Sequence, residues 1–173
     1  LLLRNDFKGL SELDFDVDYK IEFQSKIKAP DLLALGIKNK SIDLSLFSDC
    51  SELSILSLQK GIWHSDEIKK DIQFLKLDNV EKFTIKDSQS SLTNLEKLIV
   101  YDTFINAKSQ LINEYPLPKL ETAELYDVVF SESSIIHFFN SAQKFVLKNA
   151  KQAISLKGDE FQAFKQLKEL RIY

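Results

Sequence analysis

A short phrase of apolar residues recurs along almost the whole chain and restricts the possible folds more than any other feature. It consists of an apolar residue, two variable residues, an apolar residue, one variable residue and a final apolar residue. The final residue recurs every 19 to 25 positions. Such self-similarity predicts a solenoid, in which each repeat buries its apolar residues against its neighbours. The eight copies end at Phe15, Ile37, Leu58, Leu77, Val100, Leu125, Leu147 and Ile172.

A polar residue follows most copies of this phrase at a constant distance. Two positions after the final apolar residue, five of the seven copies that extend that far carry Asn or Asp. Side chains of this kind can satisfy backbone groups that are left free where a strand ends and the chain turns. The spacing therefore predicts one strand per repeat, with a turn directly after it. The residues concerned are Asn39, Asn79, Asp102, Asp127 and Asn149.

The combined pattern resembles the leucine-rich repeat family, whose phrase L-x-x-L-x-L-x-x-N/C-x-L recurs every 20–29 residues. The resemblance extends from Leu10 to Tyr173. It implies an α/β fold, a solenoid of about eight repeats of 19–25 residues. A curved parallel β-sheet would form the concave face, and irregular segments with short helical turns would form the convex face. The uneven repeat lengths are most similar to those of intracellular eukaryotic leucine-rich repeats, including those attached to F-box domains.

Four segments between the predicted strands are expected on the convex side. Val80–Ile85 and Ala150–Leu156 alternate apolar with other residues, which predicts extended chain. They lie only eight or nine residues beyond the preceding strand ends, a step too short for a complete additional repeat. Ala107–Glu114 and Ser134–Asn140 are instead predicted to form short helical turns.

Length and composition fit one domain over residues 1–173, because 173 residues with 44% apolar content can bury a sizeable core. The chain lacks methionine and ends within a predicted strand, so we expect a fragment of a longer protein. Further repeats or a partner would then cover its C-terminal end. One cysteine excludes an intramolecular disulfide, and no apolar stretch approaches the ~18–20 residues needed to cross a bilayer. We expect an intracellular protein, cytoplasmic or nuclear.

Few residues could support catalysis or hold a metal. Cys50, His64 and His137 lie in different repeats, which favours a buried thiol and two partly exposed imidazoles over a Cys–His nucleophile pair. No pair of Cys or His residues has zinc-ligand spacing, and no glycine-rich phosphate motif is present. We therefore predict a protein that is not an enzyme and that needs no cofactor and no metal.

Three acidic residues near the start of the chain form a second candidate surface. Asp14, Asp16 and Asp18 alternate with apolar or aromatic residues, so a strand would place them on one face. Such a cluster could bind a cation or a basic partner. Calcium sites need more oxygen ligands around a glycine-containing turn, so a solvated polar face is the favoured interpretation.

The variable positions of each predicted strand point away from the core and form the expected binding surface. They are small or charged in the first four repeats, whereas the last four include large apolar residues. Tyrosine is enriched at binding hot spots, although its β-propensity alone is an alternative reason for its presence here. The predicted partner-binding residues are Ile99, Tyr101, Tyr126, Val146 and Tyr173, with Lys76, Lys148 and Arg171 around them.

These observations predict a non-enzymatic module that binds another protein or a peptide on its concave face. It would serve as the adaptor or substrate receptor of a larger assembly. The mildly acidic net charge of −3 argues against direct contact with nucleic acid, and no contact with a membrane is expected. The alternative is a structural scaffold within a multi-protein complex, including one associated with nucleic acid, in which the convex face and the ends carry the contacts.

Overall fold

In the computed structural model, residues 6–23, 25–68, 71–86, 92–107, 117–131, 133–151 and 164–173 are described, and their strands form two parallel β-sheets. The larger sheet has eight strands, one from each predicted repeat, and they follow one another across the sheet in chain order. The prediction of one parallel strand per repeat is confirmed. Numbered along the chain, these strands are β1 (Glu12–Phe15), β2 (Ala34–Lys38), β3 (Ile55–Gln59), β5 (Phe74–Asp78), β7 (Lys97–Tyr101), β9 (Thr122–Tyr126), β11 (Lys144–Lys148) and β12 (Glu169–Ile172).

Equivalent residues of successive repeats stand side by side, because every strand pairs with the next in the same register. Leu35, Leu56, Leu75 and Leu98 are consecutive partners across β2, β3, β5 and β7. All four are buried, as predicted. Full burial of a leucine side chain stabilises a fold by about 1.5–3 kcal/mol. Since each leucine is covered by its neighbours in the row, this stabilisation comes mainly from contacts between adjacent repeats.

The same row accepts residues of other sizes where neighbouring repeats compensate. Ala123 and Phe145 replace leucine in β9 and β11, and both are completely buried. The large ring of Phe145 lies next to the small Ala123 and packs against Phe139 and Phe164, with ring centroids 5.8 and 5.4 Å away. Small and large residues thus fill the core together.

A second, four-stranded parallel sheet lies on the returning side of the repeats. Its order is β10-β8-β6-β4, and one buried residue from each strand, Trp63, Phe83, Ile105 and Phe130, lines the core. The predicted extended segment Val80–Ile85 contains one of these strands and is confirmed; the other three are additional. The strands are β4 (Ile62–His64), β6 (Lys82–Ile85), β8 (Phe104–Ala107) and β10 (Val129–Phe130).

Two of the other predicted segments lie mostly outside the described residues. Ala107 ends β8, so the segment Ala107–Glu114 begins as a strand and not as a helical turn. Its remaining residues, 108–114, are not among those described. Of Ala150–Leu156, Ala150 and Lys151 belong to no strand, and residues 152–156 fall outside the described ranges.

Helices are few and short. Among the described residues, three 3-10 helices span Leu44–Phe47, Ser65–Glu67 and Ser133–Phe139, and the last confirms the helical turn predicted at Ser134–Asn140. The described ranges contain no α-helix, and none of their helices has the length and apolarity needed to cross a membrane. The returning chain forms the short strands of the second sheet, and the helices beside them have only three to seven residues. The fold is a parallel β-solenoid.

The turn after each inner strand of the larger sheet uses a left-handed backbone residue. The five Asn and Asp residues identified in the sequence have φ values between 41° and 58°, and Lys60 takes the equivalent place after β3 with φ 52°. Asn and Asp tolerate this conformation better than other residues with a side chain. The role that we expected for their side chains, to satisfy backbone groups, stays a prediction; the shared left-handed conformation is the reason for their presence that the structure shows. Their backbone N–H groups extend the ladder, as from Asn79 to the Tyr101 carbonyl at 2.9 Å.

Replacing Leu98 by Ala is expected to lower the free energy of unfolding by about 2–5 kcal/mol, because it leaves a cavity beside Leu75 and Ala123. Urea denaturation followed by circular dichroism measures the change. Lys97→Ala, on the opposite face of the same strand, is the matched control and should change stability by no more than about 0.5 kcal/mol. Equal stability of Leu98→Ala and the parent protein would contradict the buried row.

Replacing Asn79 by Gly should preserve stability, whereas Asn79→Val should lower it by about 1–2 kcal/mol, because a β-branched residue is strained at positive φ. The same two substitutions at Gln73, an exposed residue before β5 whose φ is not positive, are the control. There the order should reverse, with Val better tolerated than Gly. Thermal melting of the four variants tests this, and the same order at both positions would contradict the backbone explanation.

Candidate interaction surface

The outward-facing side chains of the larger sheet form three rows that cross the strands, and we call this surface the outward face. The sequence predicted two of the rows, whereas the third, at the starts of the strands, was not predicted. The row at the strand starts contains Glu12, Ala34, Ile55, Phe74, Lys97, Thr122, Lys144 and Glu169. The row at the middle of the strands contains Asp14, Gly36, Ser57, Lys76, Ile99, Glu124, Val146 and Arg171. The row at the strand ends contains Lys38, Gln59, Asp78, Tyr101, Tyr126 and Lys148, continued at either end by Asp16 and Tyr173.

Two stacked tyrosines lie near the centre of the outward face. Tyr101 and Tyr126 are partners in β7 and β9, and their rings stack with centroids 4.9 Å apart and planes 12° apart. The predicted adjacency of the two residues is confirmed. Tyr101 remains 37% exposed, and Tyr126 is half-buried. Such a pair contributes about 0.5–1.5 kcal/mol beyond its buried area, and it also presents a broad aromatic surface to solvent.

A lysine lies over the ring of Tyr101, which also stacks on Tyr126. The Lys76 Nζ atom lies 5.6 Å from the centroid of the Tyr101 ring and 3.2 Å from a carboxylate oxygen of Asp78. Cation–π attraction and the ion pair therefore restrict the same ammonium group. Lys76 was predicted to border the tyrosines, and it contacts one of them directly.

Tyr126 is restricted by a hydrogen bond to a glutamate that also forms an ion pair. The Tyr126 hydroxyl donates to Glu124 Oε2 at 3.0 Å, and Lys144 Nζ donates to Glu124 Oε1 at 2.7 Å. The hydrogen bond from Lys144 lowers the pKa of Glu124, with a smaller contribution from Tyr126. Burial and the bond to Glu124 raise the pKa of Tyr126, while Glu124 also raises the pKa of Lys144. At neutral pH each group keeps the protonation state that this network needs.

The remaining predicted site residues differ in accessibility. Ile99 is half-buried between Lys76 and Glu124 in its row. The expected exposure of Val146 is wrong, since this side chain is only 5% exposed. Its row partners are Glu124 and Arg171, so a short side chain lies between two long ones. Val146 therefore offers almost no accessible surface on the outward face.

The C-terminal part of the outward face is open. Tyr173 is 68% exposed and Lys148 is exposed. Arg171 is exposed as well, with its Nε atom 2.6 Å from the Glu169 carboxylate. The structure thus places Lys148, Arg171 and Tyr173 on the same surface as the tyrosine pair, as predicted, although at its edge.

Large apolar residues in the row at the strand starts enlarge the surface around the tyrosines. Ile55 is exposed and Phe74 is half-buried, and the two are direct partners across β3 and β5. Lys97 Nζ lies 5.3 Å from the centroid of the Phe74 ring. The signal was present in the sequence, because both apolar residues occupy a variable position just before the second apolar residue of the phrase. We define the central apolar patch as Ile55, Phe74, Ile99, Tyr101 and Tyr126.

The three acidic residues near the start of the chain are only partly together. β1 ends at Phe15, so Asp14 lies on the outward face, whereas Asp18 lies beyond the strand and accepts a hydrogen bond from Asn39 at 2.6 Å. Asp16 forms an ion pair with Lys38. The carboxylate of Asp14 occupies the space that a side chain at Gly36 would fill. A shallow depression of about 190 Å³ beside it is lined by Asp14, Asp16, Gly36, Lys38, Ser57 and Gln59.

The reactive residues discussed above lie apart in the fold. Cys50 is a buried thiol in no disulfide, as predicted, and its Sγ atom lies 3.7 Å from the carbonyl oxygen of Ile27. His64 ends β4, and His137 lies in the helix Ser133–Phe139. Within the described ranges, no three His, Cys, Asp or Glu residues are grouped so that they could hold a metal ion.

Comparison with known proteins adds no relative: no protein-family model, no curated protein and no solved structure matches the chain. The chemistry of the outward face must therefore be inferred from its own residues. Stacked rings, half-buried aliphatic groups and ordered charges can bind a ligand by apolar contact, hydrogen bonding and ion pairing.

Glu124→Gln is expected to reduce stability at neutral pH, with the deficit shrinking in acid. A lowered folded-state pKa stabilises the protein above the ordinary glutamate value of about 4.3. This contribution is lost as the pH falls through the lowered value. Urea denaturation of the parent and variant proteins from neutral pH to about pH 3 measures the difference. Glu52→Gln, at an exposed residue away from the outward face, is the control. A deficit that does not change with pH would contradict the proposed network.

Proposed function

We propose that this chain is a solenoid of the leucine-rich repeat type and a non-enzymatic interaction module. It binds another protein or a peptide on the outward face, which corresponds to the concave face of that family. The repeated phrase, the parallel strands in register and the left-handed Asn and Asp residues support the family resemblance. The short 3-10 helices on the returning side fit its more irregular members.

The observation that carries the proposal is the fixed, partly exposed tyrosine pair. Tyr101 and Tyr126 present aromatic surface to solvent, and neighbouring charged groups restrict both rings before any partner arrives. A preorganised surface loses less conformational entropy on binding. Tyrosine is also among the residues that dominate the energetics of protein interfaces. The central apolar patch around the pair gives a partner further surface to bury.

We propose that the module is the adaptor or substrate-receptor part of a larger intracellular assembly, cytoplasmic or nuclear. The irregular repeat lengths, similar to those of leucine-rich repeats attached to F-box domains, support this context. The buried, reduced thiol of Cys50 is compatible with a reducing compartment. Direct binding of nucleic acid or of a membrane is not part of the proposal.

A structural scaffold is the second candidate, and the edge of the larger sheet at β12 favours it. Leu170 and Ile172 continue the two inward rows, yet they are 43% and 48% exposed. Among the described residues no strand pairs with the outer edge of β12, and exposed apolar residues beside such an edge favour association with another chain. In that role a partner or further repeats would cover this end.

Replacing both Tyr101 and Tyr126 by Ala is expected to weaken partner binding by a few kcal/mol, as hot-spot truncations do. The fold should remain intact, because both rings face away from the core. Affinity capture from cell extract with the intact chain, followed by titration of the captured protein, measures the effect. Thermal melting of the variant establishes that it is folded.

Tyr19→Ala is the matched control, because Tyr19 is exposed but lies outside the larger sheet. It should bind as the parent protein does. Unchanged binding of the double tyrosine variant would contradict the proposed site. If binding is instead lost in Leu170→Lys with Ile172→Lys, the scaffold role through the β12 edge is favoured.

A further inference from the structure

Formal charge on the outward face changes sign from one end of the sheet to the other. On its first four strands, counting Asp16 directly after β1, four carboxylates face two lysines, which gives a net charge of −2. On the last four strands, four cations face two carboxylates, which gives +2. The acidic half contains Glu12, Asp14, Asp16 and Asp78 with Lys38 and Lys76; the basic half contains Lys97, Lys144, Lys148 and Arg171 with Glu124 and Glu169.

The central apolar patch lies between these two halves. Its members come from β3, β5, β7 and β9, the four middle strands. Most charges around the patch are already paired with one another, as Lys76 is with Asp78 and Lys144 with Glu124. Pairing of this kind fixes side chains but leaves little charge to attract a partner.

Each end of the face keeps a charge that is available to a ligand. Within the described part of the chain, neither Asp14 at the acidic end nor Lys148 at the basic end forms an ion pair. Asp14 borders the shallow depression beside Gly36. Lys148 is exposed next to Tyr126 in its row. The order along the sheet is therefore acidic, apolar, basic.

From this order we infer that the ligand is an extended peptide segment with basic residues at one end, apolar or aromatic residues in the middle and acidic residues at the other. The inference rests on the proposed function and specifies its partner. The basic end lies over Asp14 and the acidic end over Lys148 and Arg171, while the middle covers Tyr101 and Tyr126. Complementary charges fix the direction of the segment, and the central apolar contact supplies most of the affinity.

The width of the sheet sets the length of this segment. Eight strands are separated by seven spacings of about 4.8 Å, which gives a span of about 34 Å between β1 and β12. An extended peptide advances about 3.3 Å per residue, so roughly ten residues cover the face. A folded domain is not needed to reach both ends.

Selection from a displayed random dodecapeptide library tests the inference, with the intact chain as the target. Enriched peptides should carry basic, apolar and acidic residues in that order or its reverse along the peptide. One selected peptide is then synthesised, and its affinity is measured for three folded variants. Lys148→Glu with Arg171→Glu reverses the basic end, whereas Lys82→Glu with Lys119→Glu makes the same change in net charge away from the outward face. The third variant carries Tyr101→Ala with Tyr126→Ala.

Charge reversal at Lys148 and Arg171 should weaken the peptide about tenfold, since two attractive pairs become repulsive. The Lys82 and Lys119 control should stay within about twofold. Enriched peptides that bind the tyrosine variant more weakly, but whose charged residues follow no common order, would overturn the inference and leave the proposed function standing. Equal affinity for both charge variants would do the same. Peptides that bind the tyrosine variant normally would overturn the proposed site itself, and a library without any enriched peptide would overturn the linear ligand.

Discussion

The in-register pairing of successive parallel strands is the constraint on which the rest of this structure depends. A shift by one residue would move every inward side chain to the outward face, because side chains of a strand alternate between its faces. With the register fixed, Leu75 lies between Leu56 and Leu98, and Tyr101 lies beside Tyr126. The same register brings the left-handed residues to the same edge of the sheet, where their N–H groups continue the ladder.

Stacking equivalent positions has opposite consequences for apolar and charged residues. Identical apolar or aromatic neighbours attract, so rows of leucine and the tyrosine pair follow directly from repetition. Identical charges would repel at about 4.8 Å, the spacing between strands. The chain avoids such rows by pairing opposite charges within or between neighbouring strands, as Lys76 pairs with Asp78 and Glu124 with Lys144. The net charge that remains is displaced to the two ends of the sheet.

Most of the larger sheet could be predicted from the sequence, because its repeated phrase fixes strand, face and turn together. The smaller sheet was mostly missed, since its strands have only two to four residues and follow no comparable phrase. Their buried residues vary from Trp63 to Ile105, so no single residue type marks the position. The tyrosine pair was predictable from equivalent positions, whereas the burial of Val146 was not. It depends on the length of the neighbouring Glu124 and Arg171 side chains, which alternation alone does not express.

The burial of Val146 also explains why the central apolar patch does not continue into β11. In β11 the outward-facing Val146 is buried like the inward-facing Phe145 and Leu147, and its neighbours in the row are the long side chains of Glu124 and Arg171. Accessible apolar side chains of the outward face are Ile55 and Tyr101 on the middle strands and Tyr173 at the end of β12. The charged groups at that end keep their heads in water, so a carboxylate of the proposed peptide would meet a lysine there without burying it. The division into apolar centre and charged ends is thus a consequence of side-chain length within one regular register.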